Sequence, residues 1–145
     1  MHKKDRILVL CTGNSCRSQM AEGYLRHFGG KRIDVRSAGI ESHGLNPRAV
    51  DVMKEDGIDI SSYSSDIIDD AVIQWASLVI TVCGHADRNC PVLPDNVEKR
   101  HLPFDDPAKA TGSATEVTRK FRDVRDRIRL EMLRVVWELL QSSAA

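Results

Sequence analysis

Residues 7–18 read ILVLCTGNSCRS: four apolar side chains, a cysteine, a run of small and turn-forming residues, then Arg17 and Ser18. A short continuous apolar run bounded by turn-formers is the pattern of a strand covered on both faces of a parallel sheet. Just beyond it, Met20, Ala21, Tyr24, Leu25 and Phe28 recur at helical spacing, and Gly29-Gly30 supplies a stop. A strand, a tight loop and a helix therefore adjoin, and this unit sets the expectation for the rest of the chain.

The alternation continues. Ile33 to Ser37 reads as a second strand, Asn46-Pro47 as a helix cap with proline in the first turn, and Gly57 as the end of that helix. A short helix is expected within Ile67 to Trp75, and Leu78 to Val82 is a buried strand ending on Cys83. Gly84 to Asn96 carries glycine, two prolines and little periodicity, so it reads as a loop before a strand near Lys99 to Phe104. Ser113 and Glu116 form a capping box, after which Val117, Phe121, Val124, Ile128, Met132, Val135 and Leu139 keep one apolar face along a final helix. The expected fold is a single α/β domain over residues 1–145, three layers deep around a four-stranded, mostly parallel sheet.

At 145 residues the chain can bury a core without disulfide staples. Lys plus Arg and Asp plus Glu are each 21, so the formal charge is +0, which argues against nucleic acid or an anionic membrane as a partner. No apolar stretch approaches a membrane span or a signal-peptide core, so a cytoplasmic location is expected. Thiols are kept reduced there, and four cysteines read as reactive rather than structural. Cys11-x4-Cys16 and Cys83-x6-Cys90 lack the tight paired knuckles of a zinc site.

The loop after the first strand has the parts of an oxyanion device. Ligands of open parallel sheets sit at the carboxyl ends of the strands, where helix N-termini offer unpaired N–H groups. Thr12, Gly13, Asn14 and Ser15 let the backbone curl with its amides inward, and Arg17 adds a planar, permanent cation. A cysteine at the base of such a nest is pushed toward the thiolate, so Cys11 is expected to be a nucleophile at neutral pH. Ser18 can donate a hydrogen bond to its sulfur.

In these residues the chain resembles the low-molecular-weight phosphotyrosine phosphatase fold family. Asp106-Pro107 matches that family's late Asp-Pro general acid, with Asp105 beside it as a competitor. A phosphatase needs one nucleophilic cysteine, however, and here the family's aromatic pair after Asp-Pro gives way to Ala108, Lys109 and Ala110. A fuller resemblance, through CTGNSCRSQMAEG, SAGIE, HGLNP, GIDIS, SDIID, the pair Cys83 and Cys90, and FDDPA, is to the thioredoxin-coupled arsenate reductases.

That resemblance implies a mechanism. Cys11 attacks arsenate held by residues 12–18 (Thr12, Gly13, Asn14, Ser15, Cys16, Arg17 and Ser18), and Asp106 protonates the departing oxygen. Cys83 then attacks Cys11 and arsenite leaves. Cys90 next takes the disulfide outward to thioredoxin, the external electron donor. No tightly bound cofactor is implied, and the enzyme is expected to act as a monomer with weak phosphatase side activity. The resemblance also implies potassium at Asn14, Glu22, Ser37 and Asp66, against the alternative of a polar network holding Asn14 in its turn. Cys16 reads as a packing or loop-shaping residue. The competing readings are a protein tyrosine phosphatase and a non-enzymatic binding module switched by a disulfide in the 83–90 loop.

Overall fold

The computed structural model describes residues 4–144. Its sheet holds four strands, β1 (Asp5–Cys11), β2 (Ile33–Gly39), β3 (Leu78–Thr81) and β4 (Glu98–His101), in the order β2-β1-β3-β4. All three pairings are parallel. Ile7, Leu8, Val9 and Leu10 are wholly buried, as the unbroken apolar run predicts for a central strand.

Five helices connect and cover the sheet: α1 (Arg17–Gly29), α2 (Pro47–Glu55), α3 (Asp70–Trp75), α4 (Gly84–Arg88) and α5 (Ala114–Ala144). The steps from β1 to β2 and from β2 to β3 run in opposite directions across the sheet, so right-handed crossovers send α1 and α3 to opposite faces. Helices α1, α2 and α5 pack on one another, whereas α3 and α4 pack against the strands. The apolar stripe foreseen along α5 is the packed one: Val117, Phe121, Val124, Ile128, Met132 and Val135 are buried.

The helix starts follow local chemistry. Asn46 Oδ1 accepts from the Arg48 N–H at 2.8 Å, and Ser113 Oγ accepts from the Glu116 N–H at 3.1 Å. Two expectations are corrected. Gly84–Arg88 is a helix rather than loop, because the side chain of Cys83 caps it by accepting from the Ala86 N–H at 3.4 Å. The regular part of the last strand ends at His101, because beyond it the register slips: donors two residues apart meet carbonyls that are adjacent in the chain. The backbone still follows its neighbour, with N–H groups of Leu102 and Phe104 donating to Thr81 and Val82 carbonyls at 2.9 and 3.0 Å. That continuation carries Asp105 and Asp106 to the carboxyl end of β3.

Candidate active site

Residues 11–17 curl between the end of β1 and the start of α1, and the segment after β2 runs alongside them. N–H groups of Ile40, Glu41, His43 and Asn46 donate to the carbonyls of Cys11, Thr12, Gly13 and Ser15 at 2.8 to 3.1 Å. With the loop's carbonyls occupied on that side, its amides are left for the concave side. The approach is close enough that a Cβ on Gly39 would lie 2.2 Å from the Glu41 carbonyl oxygen, so only glycine fits there.

Asn14 takes a left-handed conformation, φ 49°, which an asparagine tolerates better than most residues. A buried network holds it. Its Nδ2 donates to Ser18 Oγ at 2.8 Å and Ser37 Oγ at 2.9 Å, and its Oδ1 accepts from the Asp66 N–H at 2.8 Å. Ser37 Oγ in turn donates to Glu22 Oε1 at 2.6 Å. The four residues considered for potassium are thus joined in one polar network. Glu22, Ser37 and Asp66 also line a cavity of about 650 Å³, and their oxygens are the hard donors a monovalent cation takes. Asn14 stands behind them.

Arg17 opens α1, whose first turn has no side-chain cap. One guanidinium arm donates to the Phe104 carbonyl at 3.2 Å, and the other lies 3.6 Å from Asp106 Oδ2. Its Nε is buried with no protein partner among the described residues, a donor suited to an oxyanion oxygen. Of the two aspartates before Pro107, only Asp106 faces the loop. Asp105 turns outward to accept from Lys120 Nζ at 2.8 Å.

The resemblance implies that Cys83 meets Cys11, and the fold places the two at the carboxyl ends of the neighbouring strands β1 and β3. All four cysteines are free thiols; Cys11 and Cys83 are both buried, and the Cys83 sulfur lies 3.2 Å from the hydroxyl of Thr12, the residue next to Cys11. The Cys83 thiol is pushed down, first by the neighbouring Cys11 thiol, then by Thr12 Oγ1 at 3.2 Å, the Ala86 N–H and the Arg17 charge. Cys11 is pushed up, first by the neighbouring Cys83 thiol and then by burial, against the opposing pull of Arg17 and the Thr12 N–H. The two thiols therefore titrate as a pair, and the Arg17 charge favours an anion on either sulfur.

Cys16 is buried with its thiol pushed up to about 11, chiefly by burial, in keeping with a packing role. Cys90 lies past α4, half-buried, its thiol raised by burial. No single sequence signal pointed to Thr12 as a partner of Cys83, because that contact joins the ends of two neighbouring strands. Among the described residues no group of three His, Cys, Asp or Glu side chains is placed to hold a metal ion.

A cysteine and an arginine flank a curled loop at the carboxyl end of a central parallel strand, a cradle whose inward amides and fixed cation suit a small tetrahedral oxyanion. Residues 6–143 match the low molecular weight phosphotyrosine protein phosphatase family, and the chain belongs to it. An arsenate reductase from Halalkalibacterium halodurans is 58% identical over 128 residues, covering 88% of this chain and 91% of that relative. A solved arsenate reductase in the phosphate binding state superposes with a TM-score of 0.74 at 32% identity, over 92% of this chain and 98% of the other. The YwlE arginine phosphatase from Geobacillus stearothermophilus superposes with a TM-score of 0.81 at 26% identity, over 97% and 96% of the two chains.

Proposed function

We propose that this chain reduces arsenate to arsenite through three of its thiols and is recycled in the cytoplasm by thioredoxin. The observation that carries the reading is a second buried thiol against the oxyanion loop, the Cys83 sulfur 3.2 Å from Thr12 Oγ1, because a phosphatase has no use for a second sulfur there. The name and 58% identity of the Halalkalibacterium halodurans relative support it.

Arsenate binds against the amides of residues 12–17, with Arg17 facing its oxygens. Cys11, drawn toward the thiolate by the Arg17 charge and the Thr12 N–H, is the nucleophile. Cys11 attacks arsenic, and Asp106 protonates the departing oxygen, which leaves as water. Cys83 gives up its proton and attacks the sulfur of Cys11. The sulfur–arsenic bond breaks with its electron pair left on arsenic, arsenite departs, and a Cys11–Cys83 disulfide remains.

Cys90 then attacks Cys83, releasing Cys11 as a thiolate, and thioredoxin reduces the Cys83–Cys90 disulfide. With a helix between them the two Cα atoms are about 10 Å apart by helical rise, beyond the roughly 7 Å that a disulfide spans, so α4 must unwind for this step. Potassium belongs to the same proposal: held by Glu22, Ser37 and Asp66 with Asn14 behind, it would supply positive charge at the back of the loop.

The test is NADPH consumption with thioredoxin and thioredoxin reductase. Consumption that depends on arsenate is expected, with Cys83→Ser halting after the adduct and Cys90→Ser halting recycling; consumption indifferent to arsenate removes the assignment. The rival is a phosphatase, favoured by the closer backbone match to the arginine phosphatase and by Asp106 beside Arg17. Phosphoester hydrolysis that exceeds arsenate turnover and survives Cys83→Ser would select it.

A further inference from the structure

Helix α4 is fastened to the sheet by a cluster outside the oxyanion loop. Asp87, near its middle, takes Lys99 Nζ of β4 at 2.8 Å and the Thr81 hydroxyl of β3 at 3.3 Å, and its carboxylate lies 3.8 Å from His101 Nδ1. The His101 ring is itself 2.8 Å from Thr81 Oγ1. Lys99 Nζ also donates to the Asp87 backbone carbonyl at 3.4 Å. One side chain of the helix thus ties the winding of α4 to both neighbouring strands. None of these groups touches the oxyanion loop.

Cys90 lies three positions beyond Asp87, where α4 gives way to loop. Among the described residues the charges that act on its thiol are Lys99 from β4, which favours the thiolate, and Asp87 from α4, which opposes it. His101 stands behind Asp87 on the same strand as Lys99. In the wound state the two charges offset each other and burial keeps Cys90 protonated. When α4 unwinds, Asp87 leaves with it, whereas Lys99 stays anchored on β4.

We propose that Lys99 is a positioning residue for the second sulfur exchange: clasped by Asp87 while α4 is wound, it is freed by unwinding and then stands beside Cys90 as that thiol attacks. The proposal rests on the thiol relay proposed above. In the exchange Cys90 loses its proton to solvent, the Cys90–Cys83 bond forms, the Cys83–Cys11 bond breaks, and Cys11 leaves as a thiolate facing Arg17, with no net oxidation or reduction. The clasp makes Cys90 reactive only once the helix that separates it from Cys83 has opened.

The experiment follows a single turnover with arsenate and no thioredoxin, quenched by alkylation, with peptide mapping of the Cys11–Cys83 and Cys83–Cys90 disulfides across a range of pH. Lys99→Met should raise the pH midpoint of the exchange, and Lys99→Arg should restore it. Because thiolate nucleophilicity falls with pKa, a midpoint one unit higher slows the exchange by only about threefold at neutral pH. Asp87→Asn should raise the plateau rate without moving the midpoint, and none of the three should change formation of the first disulfide. Lys99 is partly exposed, so its replacement leaves the core intact.

A Lys99→Met midpoint equal to that of the wild type overturns the role of Lys99, and an Asp87→Asn plateau no higher than wild type overturns the clasp. A wild-type chain that forms no Cys11–Cys83 disulfide with arsenate overturns the relay itself and this proposal with it. The first two results leave the relay standing, so the failures are told apart.

Discussion

Cys11 and Cys83 show how a pair can hold a charge differently from either member. Arg17 and the loop amides pull toward a thiolate at Cys11, as the motif implies, yet Cys83 adds the Thr12 hydroxyl and the Ala86 N–H to the same pull. Because these groups push the first deprotonation of the pair below the ordinary thiol range, one anion is present at neutral pH and is lost as pH falls. Thiolate ultraviolet absorbance should therefore appear below the ordinary thiol range in the wild type and climb toward it in Cys11→Ser. A midpoint that stays equally low without Cys11 would show that Cys11 is not its source.

At the level of elements, α5 is bound to α2 and α1 by more than its apolar stripe. Arg125, largely buried, donates to the Val52 carbonyl at 2.9 Å and to Glu55 Oε1 at 2.8 Å, and Arg122 clasps the same carboxylate with its Nη2 at 2.8 Å. Next to them Asp56 accepts from Tyr24 at 2.6 Å and Arg129 at 3.0 Å. The Arg122 hydrogen bond leads in lowering the Glu55 pKa to about 2, with Arg125 adding to it. A depressed carboxylate contributes stability that is full above its ordinary pKa and is lost as pH falls through the folded value. Glu55→Gln should accordingly flatten the loss of stability between about pH 4.5 and pH 2 in urea titrations; an unchanged slope would assign that loss to other carboxylates. Helix α4 is the contrasting element: five residues, capped by a sulfur and fastened by Asp87.

For the whole molecule, the order β2-β1-β3-β4 decides where chemistry is done. The chain leaves the end of β1 in one direction and the end of β3 in the other, and the crevice between those ends receives the loop, Cys83 and the Asp106 segment together. A ligand that binds only the folded form stabilises it by about 2.7 kcal/mol at a hundred times its dissociation constant. Sulfate, an unreactive tetrahedral oxyanion, should raise the melting temperature of the wild type and have no such effect on Arg17→Ala. At fixed ionic strength, potassium should do so more than sodium. Equal responses of wild type and Arg17→Ala would move the oxyanion site elsewhere, and equal potassium and sodium curves would remove the cation from the network around Glu22.

Much was legible in the chain because it is local. The apolar run into Cys11, the caps at Asn46 and Ser113, and the stripe from Val117 to Val135 are written in neighbouring residues, and backbone geometry follows from near neighbours. The curled loop with Arg17 belongs to the same class. What only the tertiary structure decided lies across sequence distance. It put Cys83 against Thr12, turned Asp106 rather than Asp105 toward Arg17, wound residues 84–88 into a helix under a sulfur cap, and clasped Asp87 to Lys99. Each depends on which strand ends are neighbours and how the side chains between them share protons and charge, and sheet order, not spacing along the chain, sets those distances.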